Sequence, residues 1–300
     1  AVAAIGSVYV VQGAMTGGTL IASTLLAGRA VQPLIRMIGV WVQARNLKLS
    51  EERLDALMAL PQEYRPDTNE TVAPNLDTGI VLENITVNRG ESDVPVLGNI
   101  SLEIPAGSIV VVTGAAGSGQ STLLDLMAGL TRPDAGRLLI DGIDSDHIDM
   151  RSFRGKIGFA RENMVLFRGT VLDNLTTFQG RSALPMAIDG AHSLALDEVI
   201  ARMPNGLQTK VGDTASDSLA GSIKQLIALV RAFAGEPRLL LLDEANSALD
   251  LQTDRKLLQL LEKLRGRTTI ILVTSRPSLM NIADLEVSMD RGRIIAVRER

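Results

Sequence analysis

The sequence contains no cysteine and only two histidines, His147 and His192, among its 300 residues. Without thiols the chain can form neither a disulfide framework nor a thiolate metal site. The two histidines are isolated and have no companion ligands at metal-binding spacing, so we assign neither of them a metal or catalytic role. The absences therefore direct attention to sites built from backbone amides, hydroxyls and carboxylates.

A strong charge of either sign is also lacking, since the net charge is −4 and the isoelectric point is about 5.4. A chain of this balance has no basic footprint for a phosphate backbone, so we expect no nucleic-acid partner. Its length allows one large domain or two modest ones.

Apolar residues are concentrated in the first forty or so positions. Residues 1–11 are uncharged but shorter than the roughly 20 residues that cross a bilayer. The lack of a starting methionine and of a basic n-region argues against a signal peptide and favours a cut membrane helix. Residues 12–18 then predict a turn, and residues 19–27 resume an apolar helical run rich in small residues.

Charged residues join this helical pattern from Arg29 onward, while an apolar stripe continues and Pro33 predicts a kink. Basic residues just beyond an apolar segment favour a helix that leaves a membrane on the cytoplasmic side. A soluble amphipathic helical hairpin fits the same residues equally well. Residues 61–77 are polar, interrupted by proline and aperiodic, so they predict a linker at a domain boundary.

A glycine-rich turn links a β-branched apolar run, residues 108–113, to a helical pattern over residues 121–130. Its spacing matches a phosphate-binding P-loop, in which backbone N–H groups and a helix N-terminus surround a phosphate chain. The predicted nucleotide-binding residues are Gly114, Ala115, Ala116, Gly117, Ser118, Gly119, Gln120, Ser121 and Thr122.

The lysine of a P-loop is missing, because Gln120 stands in its place. A neutral amide cannot supply positive charge to the β- and γ-phosphates, and charge-assisted hydrogen bonds are roughly twice as strong as neutral ones. We therefore expect weaker nucleotide binding and less stabilisation of a transferring phosphoryl group.

Strand-like and helix-like stretches alternate through the rest of the chain, which predicts a mostly parallel sheet surrounded by helices. Residues 238–244 combine four leucines, typical of a strand buried on both faces, with Asp243 and Glu244 at its carboxyl end. Functional groups collect at that end of parallel strands. Residues 268–273 predict another buried strand.

Further segments follow in a fixed order: residues 157–162, 166–174, 203–213 and 219–225, the leucine strand, residues 247–250, and residues 273–277. In this order residues 79–300 resemble the nucleotide-binding domain of an ABC transporter of the exporter type, similar to type I secretion and peptide exporters. Residues 1–60 resemble the end of its membrane domain, with residues 61–78 as linker.

The resemblance implies an α/β fold, namely a P-loop NTPase cassette with a mainly parallel sheet and a helical subdomain at about residues 163–235, preceded by membrane-derived helices. It also implies that two cassettes face head to tail, with each ATP between one P-loop and the partner's signature loop. ATP and Mg²⁺ are the implied cofactors. Ser121, Asp243 and Glu162 correspond to metal-contact positions, and Glu244 to the general base.

Four positions at the chain's own nucleotide site depart from the family pattern. Besides Gln120, Arg89 replaces the aromatic that stacks on adenine, Glu162 replaces the glutamine of the glutamine loop, and Ser275 replaces the switch histidine. Loss of the stack costs about 1–3 kcal/mol by analogy with bases on aromatics. The Glu162 charge either strengthens a Mg²⁺ contact or repels nucleotide, and serine cannot shuttle a proton near neutral pH.

The signature loop, which would serve the partner's nucleotide, is altered as well. The family's Leu-Ser-Gly-Gly-Gln corresponds here to Leu219, Ala220, Gly221, Ser222 and Ile223. A hydroxyl and a polar amide are lost, and a Cβ appears where glycine allows close approach. The D-loop is retained as Ser247, Ala248, Leu249 and Asp250.

Two hypotheses follow. In the first, the chain is the ATP-binding subunit of an exporter, in a membrane with its cassette in the cytoplasm, exporting a peptide or protein. It would pair with a second half-transporter, in a heterodimer by preference or in a homodimer, and hydrolyse ATP weakly or not at all. In the second, it is a non-hydrolysing structural or regulatory subunit of a transporter complex. A soluble P-loop ATPase would leave residues 1–60 unexplained.

Overall fold

The computed structural model describes residues 2–60, 74–90, 94–178, 183–212 and 219–300. The chain forms two compact units, Ala1–Pro66 and Asp67–Arg300. Most of the linker predicted at residues 61–78 lies outside the described residues.

Two helices make up the described part of the first unit, α1 (Val2–Val11) and α2 (Gly17–Met58). The side chain of Thr16 caps α2 by accepting a hydrogen bond from the Thr19 amide. The helix continues past Pro33, which lies inside it. Among the described residues α2 alone is long and apolar enough to cross a membrane, and its most apolar 18-residue window has a mean hydropathy of 1.3.

An antiparallel sheet opens the second unit, with strand order β2-β1-β4-β5. Its strands are β1 (Gly79–Val87), β2 (Leu97–Pro105), β4 (Ala135–Ile140) and β5 (Ile143–Asp144). The β2 strand alternates buried and exposed residues, as expected for a sheet with one face on the core. The sequence analysis did not anticipate this sheet.

The central sheet has the order β12-β11-β3-β10-β9-β6, and only the β11–β12 pairing is antiparallel. This arrangement confirms the predicted mainly parallel sheet. Its strands are β3 (Ile109–Gly114), β6 (Ile157–Arg161), β9 (Leu239–Asp243), β10 (Thr269–Val273), β11 (Leu285–Asp290) and β12 (Arg293–Glu299).

Helices and small elements complete the cassette: α3 (Gln120–Met127), α4 (Met150–Arg154), β7 (Gly169–Thr170), α5 (Val171–Leu175), α6 (Leu184–Ser193), α7 (Leu196–Ala201), β8 (Lys210–Val211), α8 (Gly221–Phe233), α9 (Leu251–Leu264) and α10 (Pro277–Met280). Residues 163–235, predicted as the helical subdomain, contain α5 to α8 and the β7–β8 pair.

The central sheet separates two hydrophobic cores. Side chains of α3 and the antiparallel sheet, such as Leu124 and Ile80, pack on one face, and α8 and α9, with Leu229 and Leu261, pack on the other. Coverage of both faces explains why β9 and β10 are apolar at successive positions. The carboxyl ends of β3, β10, β9 and β6 consequently meet at one edge.

Candidate functional site

The glycine-rich loop leaves β3 at Gly114 and enters α3 at Gln120. Gly119 precedes the helix with φ at +97°, and a Cβ there would lie 2.9 Å from the Val96 carbonyl oxygen, so only glycine fits. Residues 114–117 are exposed. Since the first amides of a helix lack partners within it, this loop has the geometry of an anion site.

Gln120 is the first residue of α3 and is half-buried. Ser121 is exposed on the same first turn and Thr122 is half-buried, whereas Ser118 is buried. The hydroxyl of Ser118 has no hydrogen-bond partner among the described residues. The loop therefore fits a phosphate chain in shape, but position 120 offers it an amide rather than a cation.

Strands beside the loop bring the predicted carboxylates to the same edge of the sheet. Asp243 ends β9, and in the register of the parallel sheet it pairs with Val273 of β10 and with Arg161 of β6. Glu162 directly follows β6, and Ser275 follows β10 after one intervening residue. The fold thus gathers the loop, Asp243, Glu244, Glu162 and Ser275, which are dispersed over more than 160 residues of sequence.

Glu244 has a left-handed backbone with φ at +47°. Its amide donates to the Val273 carbonyl at 2.9 Å, which ties it to the end of β10. A non-glycine residue in this region is held there by its surroundings at an energetic cost, and such residues cluster at functional sites. The candidate general base is therefore in an imposed conformation.

Among the described residues, no cluster of three or more histidine, cysteine, aspartate or glutamate side chains forms a metal site. A hydroxyl at Ser121 and a carboxylate at Asp243 suit Mg²⁺, which binds few protein ligands and completes its shell with water and phosphate oxygens. These donors fit Mg²⁺ as a companion of nucleotide.

Arg89 lies two residues after the end of β1, and its charge acts on Asp125 of α3. Burial raises the pKa of the Asp125 carboxyl, and neighbouring Asp243 raises it further, against the lowering effect of Arg161 and Arg89. Arg161 forms an ion pair with Asp125. The sequence analysis did not identify this pair, because its partners come from β6 and α3.

The signature residues begin α8. Ala220 is the N-cap residue, without a side-chain hydrogen bond, and it and Gly221 are exposed. Ile223 packs against the core beneath the helical elements, together with Leu219. Hydrocarbon at position 223 is therefore explained by packing, while the exposed start of the helix has lost the hydroxyl that an anion would meet.

Retained D-loop residues lie between β9 and α9, where Asp250 caps α9 by accepting from the Thr253 amide at 2.7 Å. This hydrogen bond lowers the pKa of Asp250. Two side chains contact the same loop, Gln225 and Arg276, which lie within the segments 219–225 and 273–277 but had no individual role assigned from the sequence. A signal for Gln225 existed, since this polar residue directly precedes the apolar run of α8 and is buried with it.

Comparison with known proteins agrees with this geometry. The family model described as ABC transporter matches residues 97–247. The chain is 30% identical over 289 residues to the alpha-hemolysin translocation ATP-binding protein of Escherichia coli O157:H7. This match covers 96% of this chain and 40% of that protein. It is 31% identical over 290 residues to the cyclolysin secretion/processing ATP-binding protein of Bordetella pertussis, with 97% and 40% covered.

A solved structure of a bacterial Atm1-family ABC exporter with ATP bound is similar in fold, with a TM-score of 0.77 and 27% identity. The similarity covers 95% of this chain and 50% of the exporter chain. The chain spans about 40% of the length of the curated relatives that it matches. The resemblance to exporter-type ABC transporters is confirmed.

Proposed function

Because the chain belongs to the ABC transporter family, we propose that it is the ATP-binding component of an exporter and hydrolyses ATP poorly or not at all. The observation that carries this proposal is the phosphate loop itself, whose shape is intact while Gln120 occupies the first position of α3. A loop of this kind can hold a phosphate chain through its amides, yet it lacks the cation that offsets developing charge.

The other groups at the same edge support weak catalysis rather than strong catalysis. We propose Asp243 and Ser121 as the Mg²⁺ contacts and Glu244 as the general base, since Asp243 ends β9 and Glu244 follows it with a left-handed backbone. Ser275, however, cannot exchange a proton near neutral pH, and the negative charge of Glu162 would either strengthen a Mg²⁺ contact or repel the nucleotide. We therefore propose that ATP and Mg²⁺ bind weakly and that the chemical step is slow.

Pairing follows from the signature loop. Two copies of this chain would build both composite sites from a loop without lysine and a signature without its serine. A partner with complete motifs would supply one intact half to each site. We propose that the chain acts in a heterodimer of half-transporters, with residues 79–300 as the cassette, 61–78 as the linker and 1–60 as the end of the membrane domain.

The membrane location and the substrate are proposed on two grounds. Helix α2 has the length and composition of a membrane-spanning helix. The relatives are named for the translocation of alpha-hemolysin and the secretion of cyclolysin. We propose that the chain lies in a membrane with its cassette in the cytoplasm and that the transported substrate is a peptide or protein.

A second candidate is a subunit that does not hydrolyse nucleotide and regulates or supports a transporter complex. The joint loss of the lysine at position 120 and the histidine at position 275 favours it. It predicts no measurable turnover by this chain with any partner, whereas the first proposal allows slow turnover.

Binding and turnover measurements test the proposal. The full chain in detergent is titrated with labelled ATP in the presence of Mg²⁺, and phosphate release is measured for the chain alone and with a half-transporter whose motifs are complete. We expect weak binding, little or no turnover alone, and faster turnover with the partner. Ordinary turnover by the isolated chain would contradict the proposed impairment.

A further inference from the structure

The D-loop, residues 247–250, is a mostly exposed segment with a single buried side chain. Ser247, Ala248 and Asp250 are exposed, whereas Leu249 is buried in the core that α8 and α9 share. Such a short loop between β9 and α9 needs further contacts to hold one conformation, because ordering each residue costs about 1–2 kcal/mol of backbone entropy. Two buried or half-buried side chains provide these contacts.

Gln225 holds the loop from the side of α8. Its Oε1 accepts from the Ala248 amide at 2.8 Å, and its Nε2 lies 3.2 Å from Ser247 Oγ and 3.3 Å from the Glu244 carbonyl oxygen. Only 3% of Gln225 is exposed. One side chain therefore joins the signature helix to the D-loop and to the strained residue that follows Asp243.

Arg276 holds the loop from the side of the switch segment. Its Nη2 donates to the Leu249 carbonyl at 2.8 Å and to the Ser247 carbonyl at 3.3 Å. Its Nη1 lies 3.2 Å from Oδ1 of Asp254 on α9. The planar guanidinium can reach both carbonyls and the carboxylate at once, which a lysine cannot do.

Asp254 fixes the position of this guanidinium. The carboxylate is buried, with 4% of the residue exposed, and accepts from Asn246 Nδ2 at 3.1 Å and from Ser278 Oγ at 2.9 Å. Arg276 neutralises it. A buried charge with several hydrogen bonds orients its partner in one direction, so Arg276 is aimed at the D-loop before any nucleotide or partner binds.

We propose that Gln225 and Arg276 are positioning residues that hold the D-loop and Glu244 in a fixed arrangement with the signature helix and the switch segment. In this chain the switch segment has serine at position 275. The next residue, Arg276, gives the segment a structural role, because its side chain holds the D-loop.

The consequence for the partner rests on the proposed function. The signature loop is proposed to face the partner's nucleotide, and Gln225 lies two residues beyond Ile223 on the same helix. The exposed D-loop beside it therefore lies next to the partner's site. A chain that cannot turn over ATP itself would still shape the partner's site through these two side chains.

Amide hydrogen exchange of the full chain in detergent tests the positioning role without any partner or nucleotide. Replacing Gln225 by Leu keeps the volume and removes all three hydrogen bonds, and we expect exchange at Ala248 to become about tenfold faster. Gln225→Glu keeps an acceptor for the Ala248 amide and should retain part of the protection. Arg276→Lys should also accelerate exchange across residues 247–250.

The exposed Gln208 and Arg267 provide matched controls, as Gln208→Leu and Arg267→Lys, which should leave D-loop exchange unchanged. Exchange in the central strand β10 reports global stability, and protection there should survive in every variant. Unchanged exchange at residues 247–250 in both Gln225→Leu and Arg276→Lys would overturn the proposal. So would loss of protection that is equal in β10 and the D-loop, since that means general destabilisation.

A second measurement addresses the partner's site. With a complete partner cassette, Gln225→Leu should lower the maximal rate of ATP turnover at least about threefold, a loss equivalent to a modest rise in the activation barrier. If D-loop exchange becomes faster but the maximal rate of ATP turnover does not fall, the positioning role stands. The proposed effect on the partner's nucleotide site is then overturned. No turnover by wild-type complex contradicts the proposed function instead.

Discussion

At the scale of single residues, position 120 decides how the phosphate loop behaves. The backbone turns into α3 through Gly117 and Gly119, both with positive φ, and it makes that turn without lysine. Shape and charge are therefore separable in this loop. A phosphate chain that enters it would meet amides and hydroxyls but no lysine at the start of the helix, so we expect binding to depend on the dipole and on Mg²⁺.

Restoring the lysine tests how far this one position limits the chain. We expect Gln120→Lys to strengthen ATP binding by about tenfold, because a charged donor replaces a neutral one. Turnover should stay low, since Ser275 and the altered signature loop are unchanged. The control is Gln208→Lys, which adds the same charge at an exposed glutamine. Strong ATPase activity from Gln120→Lys alone would show that the other departures matter little.

At the scale of elements, the start of the antiparallel sheet depends on one carboxylate. Asp141, in the turn after β4, accepts from the amides of Thr78 at 2.7 Å, Asp77 at 3.1 Å and Gly79 at 3.2 Å. Burial acts to raise the pKa of Asp141, but these hydrogen bonds outweigh it and lower the pKa below its usual 3.8. The charged carboxylate therefore fixes the entry of the chain into β1.

The sign of the pH dependence follows from the lowered pKa. The contribution of Asp141 is fully present above about pH 4 and is lost as pH falls through its lower pKa in the folded chain. We expect Asp141→Asn to reduce the free energy of unfolding at pH 7, and the difference from wild type to shrink below pH 4. Denaturant titrations at pH 7, 4 and 3 measure it, with exposed Asp146→Asn as control. A difference that is constant with pH would contradict the carboxylate's role.

The difference between local sequence pattern and contacts distant in sequence explains which features could be predicted from the sequence. Runs such as residues 239–242 are apolar throughout because both faces of β9 are covered, so the parallel sheet and the edge with Asp243 follow from local pattern. The antiparallel sheet pairs residues of β1 with residues of β4 that lie 49 to 60 positions away, and Arg276 contacts Leu249 across 27 positions. No local periodicity encodes such contacts.

At the scale of the whole molecule, the losses fall on the two surfaces that a dimer would need. The phosphate loop lacks its cation and the signature helix begins with Ala220 in place of a hydroxyl, so each composite site of a homodimer would be weakened twice. The D-loop contacts, in contrast, are complete. This distribution supports the proposal that the chain pairs with a different subunit rather than with a second copy of itself.

Mass measurement in detergent tests this asymmetry. ATP can stabilise a dimer of cassettes only when the phosphate loop and the signature loop both bind it. Since both loops are altered in this chain, we expect Mg²⁺ and ATP to leave the mass of the isolated chain, measured by light scattering, unchanged. A partner with complete motifs should form a complex whose stability rises with ATP. Introducing Ala220→Ser and Gln120→Lys together should give the isolated chain an ATP-dependent increase in mass, whereas Gln208→Lys with wild-type motifs should not. An ATP-driven homodimer of the unmodified chain would show that amides alone suffice at both composite sites and would remove the argument for a heterodimer.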